Sequence, residues 1–388
     1  MTTASTPALG KAIRDRFLLD PAFLTVNHGA YGATPRPVLE AQEHWRRRME
    51  AQPTRFMQRE LPAALAQARA RLGEFLGAQG DDLAFVDNAT TGCNAVLRAL
   101  ALGQGDEIVL LHHGYGAVRN AVRHIAGLAG GRIVEAAFAF PQPEPEAIVA
   151  SVAHALGLRT KLVVLDHITS PSALVLPLER LIATCRAAGV PVLVDGAHGP
   201  GQLTLDLGRL GADWYVGNCH KWLCAPKGCA FLWARADRQD SLHPLTISHG
   251  YGQGFRAEFD WTGTRDPSAF LAVDAAIDFH EQLGGGALRS RNAALAREAT
   301  ALVARRLNTD AAADPAMHAA MGLVRLPHDG PATPQNALAL RTRLIDEFST
   351  DVPLFALAGS LWLRLSAHAY NEIGDYAELA ERAARLLA

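Results

Sequence analysis

From about residue 80 to residue 235, short apolar runs alternate with stretches whose apolar residues recur three and four positions apart. The runs are Leu83 to Val86, Glu107 to Leu111, Arg132 to Ala136, Leu162 to Asp166, Val192 to Asp195, Trp214 to Gly217 and Cys229 to Trp233. The stretches between them, including Thr91 to Leu102, Ala117 to Leu128, Pro145 to Leu156 and Leu178 to Ala188, carry helical spacing. Strands buried on both faces read as unbroken apolar runs, and crossover helices must cover those faces. The pattern therefore predicts an α/β fold on an open, mostly parallel sheet of seven strands. Ligands of such sheets sit beyond the carboxyl ends of the strands.

After residue 265 the pattern changes. Helices are expected at Pro267 to Leu283, Ala287 to Leu307 and Gln335 to Phe348, with strands at Gly322 to Leu326 and Leu361 to Leu365. This predicts a smaller α+β C-terminal domain. The glycine run at 284–286 reads as a helix-ending turn, and Asn308 to Pro315 as a surface loop. A short amphipathic helix before Asp20 should pack on the small domain. The expected division is an N-terminal segment at 1–25, a large domain at 26–265 and a small domain at 266–388.

Composition narrows the function classes. The chain has 388 residues, 37 Lys plus Arg against 39 Asp plus Glu, and 49% hydrophobic residues, so it should fold and lacks the basic excess that nucleic-acid or anionic-membrane partners demand. No apolar stretch approaches the roughly 18 residues needed to cross a bilayer. The first twenty residues carry Lys11, Arg14 and Arg16 without an apolar core, so no secretory signal is read and a cytoplasmic home is expected. Five cysteines, an odd number, fit reduced thiols, and the spacing of Cys219, Cys224 and Cys229 argues against a zinc site.

Two segments could carry chemistry. In VLVDGAH, Asp195 ends an apolar strand and glycine follows at once, so the carboxylate either faces a ligand or caps the next turn. In NCHKWLCAPKGCAFLW, Lys221 lies just after the next strand among small and apolar residues. Desolvation there would lower the ammonium pKa, as a Schiff-base lysine requires. Lys227 is the competitor, but Pro226, Lys227 and Gly228 look like a turn.

VDGAHGPGQ followed by GNCHKWLCAPKG resembles the class V aminotransferase superfamily of fold type I enzymes that use pyridoxal phosphate (PLP). NHGAYGATPRPVLEAQ and LWLRLSAHAYNE make the sequence most similar to the isopenicillin N epimerase branch, and the likeness spans Asn27 to Asn371. The resemblance implies PLP held by Lys221, with Asp195 paired to the pyridine nitrogen so that the ring accepts electrons. It implies His198, where many relatives carry Gln, near the phenolic oxygen, with Thr169 or Ser170 as second candidates there. Tyr115 would stack on the cofactor face. Thr90 and Thr91 would cradle the phosphate at a helix start, a geometry that an ordinary N-cap shares, and Asn218 and His220 would direct donors to it. Thr264 in WTGTRDP would reach the phosphate of a neighbouring subunit, which implies a homodimer with shared active sites. Arg364 would bind the substrate carboxylate through two parallel bonds, unless it serves a structural ion pair. Asn27, His28 and Tyr31 could line the substrate side.

Other readings lack their motifs. No G-x-G-x-x-G follows the first strand, no GxxxxGK[ST] occurs, and no GxSxG is present. A non-catalytic PLP-fold binding protein is the alternative from another class, and retention of both Lys221 and Asp195 argues for chemistry. The expected reaction is deprotonation at the α carbon of an amino-acid substrate by Lys221. That step serves epimerisation, β-elimination and transamination alike. Epimerisation also needs an acid on the opposite face, for which Tyr31 and His28 are the candidates. No cysteine follows Cys229, which argues against persulfide transfer.

Overall fold

The computed structural model describes residues 8–388. The central sheet contains β1 (Leu83–Val86), β2 (Glu107–Leu111), β3 (Arg132–Ala136), β4 (Thr160–Asp166), β5 (Val192–Asp195), β6 (Trp214–Asn218) and β7 (Ala230–Ala234), in the spatial order β1-β7-β6-β5-β4-β2-β3. Only β7 is antiparallel to its neighbours, so the other six strands bring their carboxyl ends to one edge. Alternation along each strand sends side chains to two cores. Leu83, Val109, Leu165, Val194 and Phe231 join the core beneath the helices Leu61–Leu76 and Val273–Gln282, whereas Val86, Ile108, Val164 and Leu232 join the one beneath Ala89–Arg98 and Gly116–Leu128. Each fully buried side chain of this size contributes about 1.5–3 kcal/mol.

The second sheet contains β8 (Met321–Leu326), β9 (Leu354–Leu357) and β10 (Ser360–Ser366), antiparallel in the order β9-β10-β8. The sequence pattern signals β8 and β10 but not β9. The turn joining β9 to β10 is Ala358 and Gly359, both at positive φ (46° and 73°). Such hairpin turns usually announce themselves as Asn-Gly or Asp-Gly, and an alanine in the first position hides the signal.

The change of core does not fall at residue 265. The stretch expected as one helix from Pro267 to Leu283 is two pieces, Ser268–Leu271 and Val273–Gln282, and Phe270, Val273, Ile277 and Phe279 all belong to the large core. The small-domain core takes Leu24 and Val26 from early in the chain and resumes at Leu295, midway along the helix Gly286–Arg306. The segment expected as a surface loop buries Ala312 and Ala313, because Ala312 N donates to Leu323 O and Ala313 N to Pro141 O.

Near the start of the chain, Gly10–Arg16 forms a 3-10 helix, and the rest of the expected helix at 1–7 lies outside the described residues. Gly10 N donates to Ala369 O at 2.7 Å and Arg14 pairs with Asp375 at 2.9 Å, while Ile13 and Phe17 reach the large core. Leu24–Thr25 then pairs in parallel with Thr350–Asp351. Among the described residues no helix is long and apolar enough to cross a membrane, and all five cysteines are free and buried.

Candidate active site

A cleft of about 470 Å³ opens at the carboxyl edge of the sheet, lined among others by Tyr31, Asn88, Thr90, Tyr115, Asp166, Ser170, Asp195, His198, Asn218, His220 and Lys221. Lys221 follows β6 on a loop that the fold holds tightly. Cys224 N donates to Lys221 O at 3.1 Å, and Nε2 of His28 donates to the same carbonyl at 3.0 Å. Gly32 (φ 71°) passes so close that a Cβ there would lie 2.1 Å from His220 O and 2.9 Å from the Lys221 Cα, so the NHGAYG turn is glycine-rich for a steric reason. Gly201 (φ 81°) makes a similar approach to the Trp222 carbonyl. Burial and the Arg364 charge lower the Lys221 amine from its ordinary 10.5 to about 8, against the pull of Asp195.

Asp195 ends β5 and Asp166 ends β4, and the two are register partners. Asp195 accepts the Ala197 amide at 3.0 Å. Burial raises its carboxyl, with the Ala197 amide and the Lys221 charge opposing. Burial raises Asp166 well above the usual carboxylate range, and the Asp195 charge raises it further. Asp166 was not singled out in the sequence. The signal was present, because VVLDH places an acid at a strand end as VLVDG does.

Opposite these carboxylates the helix Ala89–Arg98 points its N-terminus at the cleft. Its N-cap is Asn88, whose Oδ1 accepts the Thr91 amide at 2.9 Å. Asn218 Oδ1 accepts the Ala89 amide at 2.9 Å, which ties the end of β6 to the helix start and leaves the Asn218 NH₂ group as a donor. His220 Nδ1 donates to Cys229 O at 3.1 Å. Tyr115 is 42% exposed and caps the helix Gly116–Leu128.

Arg364 enters from β10 and is fully buried. Its Nη1 donates to Ser170 O at 2.6 Å and to Ser170 Oγ at 3.3 Å, and its Nε has no partner. Among the described residues Arg364 forms no ion pair, the charge of Asp351 reaching it only from beyond contact distance, so the structural ion pair that composition allowed is not formed; the guanidinium instead lies over the Phe355 ring, 5.3 Å from its centroid. An unpartnered buried guanidinium nitrogen costs about 1–3 kcal/mol unless a ligand satisfies it.

Several expected residues stand elsewhere. Thr169 is fully buried and its hydroxyl serves Ser172 at 2.7 Å and the Leu174 amide at 2.9 Å, so only Ser170 of that pair lines the cleft. Thr91 turns its hydroxyl to Asn88, and one residue of helical rotation carries it into a neighbouring groove of about 390 Å³ that also holds Thr264 and Leu245. Asn27 donates to Asp351 at 3.0 Å, away from the cleft. His28 lies behind Lys221, stacked on His368 (3.7 Å between centroids, 13° between planes), and burial lowers it to about 3. Cys224 Sγ lies 3.8 Å from Nε2 of His28 and 3.6 Å from Nε2 of His368. Lone pairs lie in the ring planes, so these two stacked rings do not converge on one metal position.

A neutralisable buried amine, a strand-end carboxylate with one protein donor, a helix N-terminus beside Thr90 and an open buried guanidinium together suit an aromatic aldehyde phosphate and an amino acid. With the sheet order above, they define a PLP-binding enzyme of fold type I. The family pattern described as "Aminotransferase class-V" matches residues 28–345, and the chain belongs to that family. It is 37% identical to an isopenicillin N epimerase of Amycolatopsis lactamdurans (95% of this chain, 96% of that one) and 35% identical to a putative L-cysteine desulfhydrase of Oryza sativa (94% and 83%). The solved complex of the cystine C-S lyase C-DES with its reaction product cysteine persulfide superposes with a TM-score of 0.80 at 25% identity, covering 93% of this chain and 97% of that one. The protein is a PLP-dependent enzyme.

Proposed function

We propose that the protein acts on an amino acid with a sulfur substituent on its β carbon and releases that sulfur by β-elimination. Bound PLP supplies the electron sink for the pair left at the α carbon. Lys221 takes the α proton at Nζ, for which its lowered pKa suits it. Asp195 provides the counter-charge for the ring nitrogen, Thr90, Asn218 and His220 hold the phosphate, and Tyr115 walls the cleft. Arg364 orients the substrate carboxylate with its free guanidinium edge.

The observation that carries elimination is the position of His28. Epimerisation needs an acid in the cleft to return the proton on the other face, and His28 is walled off behind the lysine backbone. Tyr31 lines the cleft but is 71% exposed. All five thiols are buried and none lines the cleft, so no cysteine stands ready to take up the sulfur.

Incubation with cysteine or cystine in deuterated water tests this. Cysteine and one water should give pyruvate, ammonia and hydrogen sulfide in equal amounts. A racemised, α-deuterated amino acid without keto acid would replace the reading with epimerisation, and keto acid formed only with an added amino acceptor would replace it with transamination.

We also infer a homodimer. Thr264, Leu245 and Thr246 line the groove beside the cleft, Asp87 borders both, and the exposed Leu245, Ile247 and Tyr251 cluster in the preceding segment. A second copy seated there would cover these apolar side chains. Sedimentation velocity should give twice the 41.5 kDa chain mass, and a monomer with full turnover would end this inference.

A further inference from the structure

Both ring nitrogens of His198 meet protein groups. Nδ1 receives the indole N–H of Trp222 at 3.1 Å, and Nε2 lies 3.3 Å from Nζ of Lys221. An indole nitrogen is only a donor. Nδ1 is therefore the acceptor, and a neutral ring carries its proton on Nε2. His198 is neutral, because burial and the charges of Lys221 and Arg364 hold it well below the ordinary histidine value. In that tautomer the ring can only donate toward Lys221, and an ammonium has no lone pair to receive it.

We propose that Trp222 is a positioning residue that acts through His198: its N–H fixes the Nε2–H tautomer, so that the ring offers Lys221 a donor and favours the free amine over the ammonium. Without the indole N–H, the imidazole can move its proton to Nδ1 and offer Nε2 as an acceptor. The ammonium then gains a partner, and Lys221 becomes a weaker base at neutral pH. The indole is held in place for this task. It is fully buried, its ring lies 5.3 Å from that of His28, and a Cβ on Gly29 would meet its Cζ2 at 3.0 Å. The other charged or titratable groups facing this pair are Asp195, Arg364 and His220, with Asp166 and Tyr115 across the cleft and with His28 and His368 packed on the indole ring.

This inference rests on Lys221 as the PLP-linked base, and its test separates the two. ¹⁵N NMR of histidine-labelled protein, with PLP bound and after its removal, should show His198 protonated at Nε2; protonation at Nδ1 would overturn the proposal whether or not Lys221 binds PLP. The pH dependence of PLP capture by the stripped protein, followed by absorbance, reads the amine directly. Trp222→Phe should move its midpoint upward by roughly one pH unit, the worth of one hydrogen bond. In a His198→Gln background the same change should move it no further. Should Trp222→Phe not fold, replacement by the isosteric benzothienylalanine, which keeps the volume and lacks the N–H, makes the same measurement. An unmoved midpoint in a folded variant would refute the link, whereas absence of capture at Lys221 in the unaltered protein would refute the base assignment alone.

Discussion

Lys221→Ala should leave a folded protein without turnover, down by at least about 10³-fold, and without a borohydride-reducible link to PLP. Nothing else in the cleft can replace the amine. Lys227 is the remaining lysine nearby, but its Nζ lies 3.4 Å from Thr34 Oγ1, on the loop behind the cleft. The lowered pKa adds a pH signature. At pH 7 about one Lys221 in ten is a free amine, far more than for a lysine at 10.5. PLP capture should therefore accelerate with pH and level off above about 8. The same shift links to stability. The folded-state value lies below the unfolded one, so the unfolded chain binds more protons between about pH 8 and 10.5, and native stability rises with pH across that window. In Lys221→Ala the share of this rise that Lys221 contributes should be lost from denaturant titrations. A variant that retains the reducible link would show that another amine holds the cofactor.

Arg364→Ala should raise KM for the amino acid by roughly 10²–10³-fold while leaving the PLP absorbance in place, the scale expected when one partner of a buried charge pair is lost. Arg364→Lys should recover little, because a single ammonium cannot reproduce two parallel bonds. The side chain has capacity for a ligand: Ser170, which lines the cleft, takes one end, Phe355 supports the plane, and the buried Nε has no partner. Steady-state kinetics with a spectrophotometric cofactor assay checks both parts. An unchanged KM, or loss of the cofactor band together with activity, would assign Arg364 a structural role.

The central sheet was legible because its strands are buried on both faces and write that burial as uninterrupted apolar runs. All seven expected strands lie within two residues of their positions. Asp195 and Lys221 were legible because strand-end chemistry is local: a residue at the carboxyl end of a central parallel strand faces the ligand edge whatever the rest of the chain does. What failed was direction and depth. Thr90 and Thr91 are adjacent in sequence, yet a helix turns them into different grooves. His28 sits in a glycine-rich turn that suggests a ligand loop, but the same glycines let the turn sink behind Lys221, where its imidazole serves the backbone. Asp166 went unremarked although its strand end carries the same signal as Asp195; what its segment does not report is that the two carboxylates stand side by side. Trp222 reads as an apolar core residue, and its hydrogen-bond role depends on a histidine 24 positions away.

The loop that carries Lys221 is fastened by groups from both ends of the polypeptide. His28, 193 positions earlier, reaches its carbonyl, and His368, 144 positions beyond Cys224, packs against the thiol beneath it. Every strand of the central sheet is complete by residue 234, but the contact of His368 with the Cys224 thiol needs the chain through residue 368. The setting of the reactive amine is thus a property of the whole chain and not of the sheet alone.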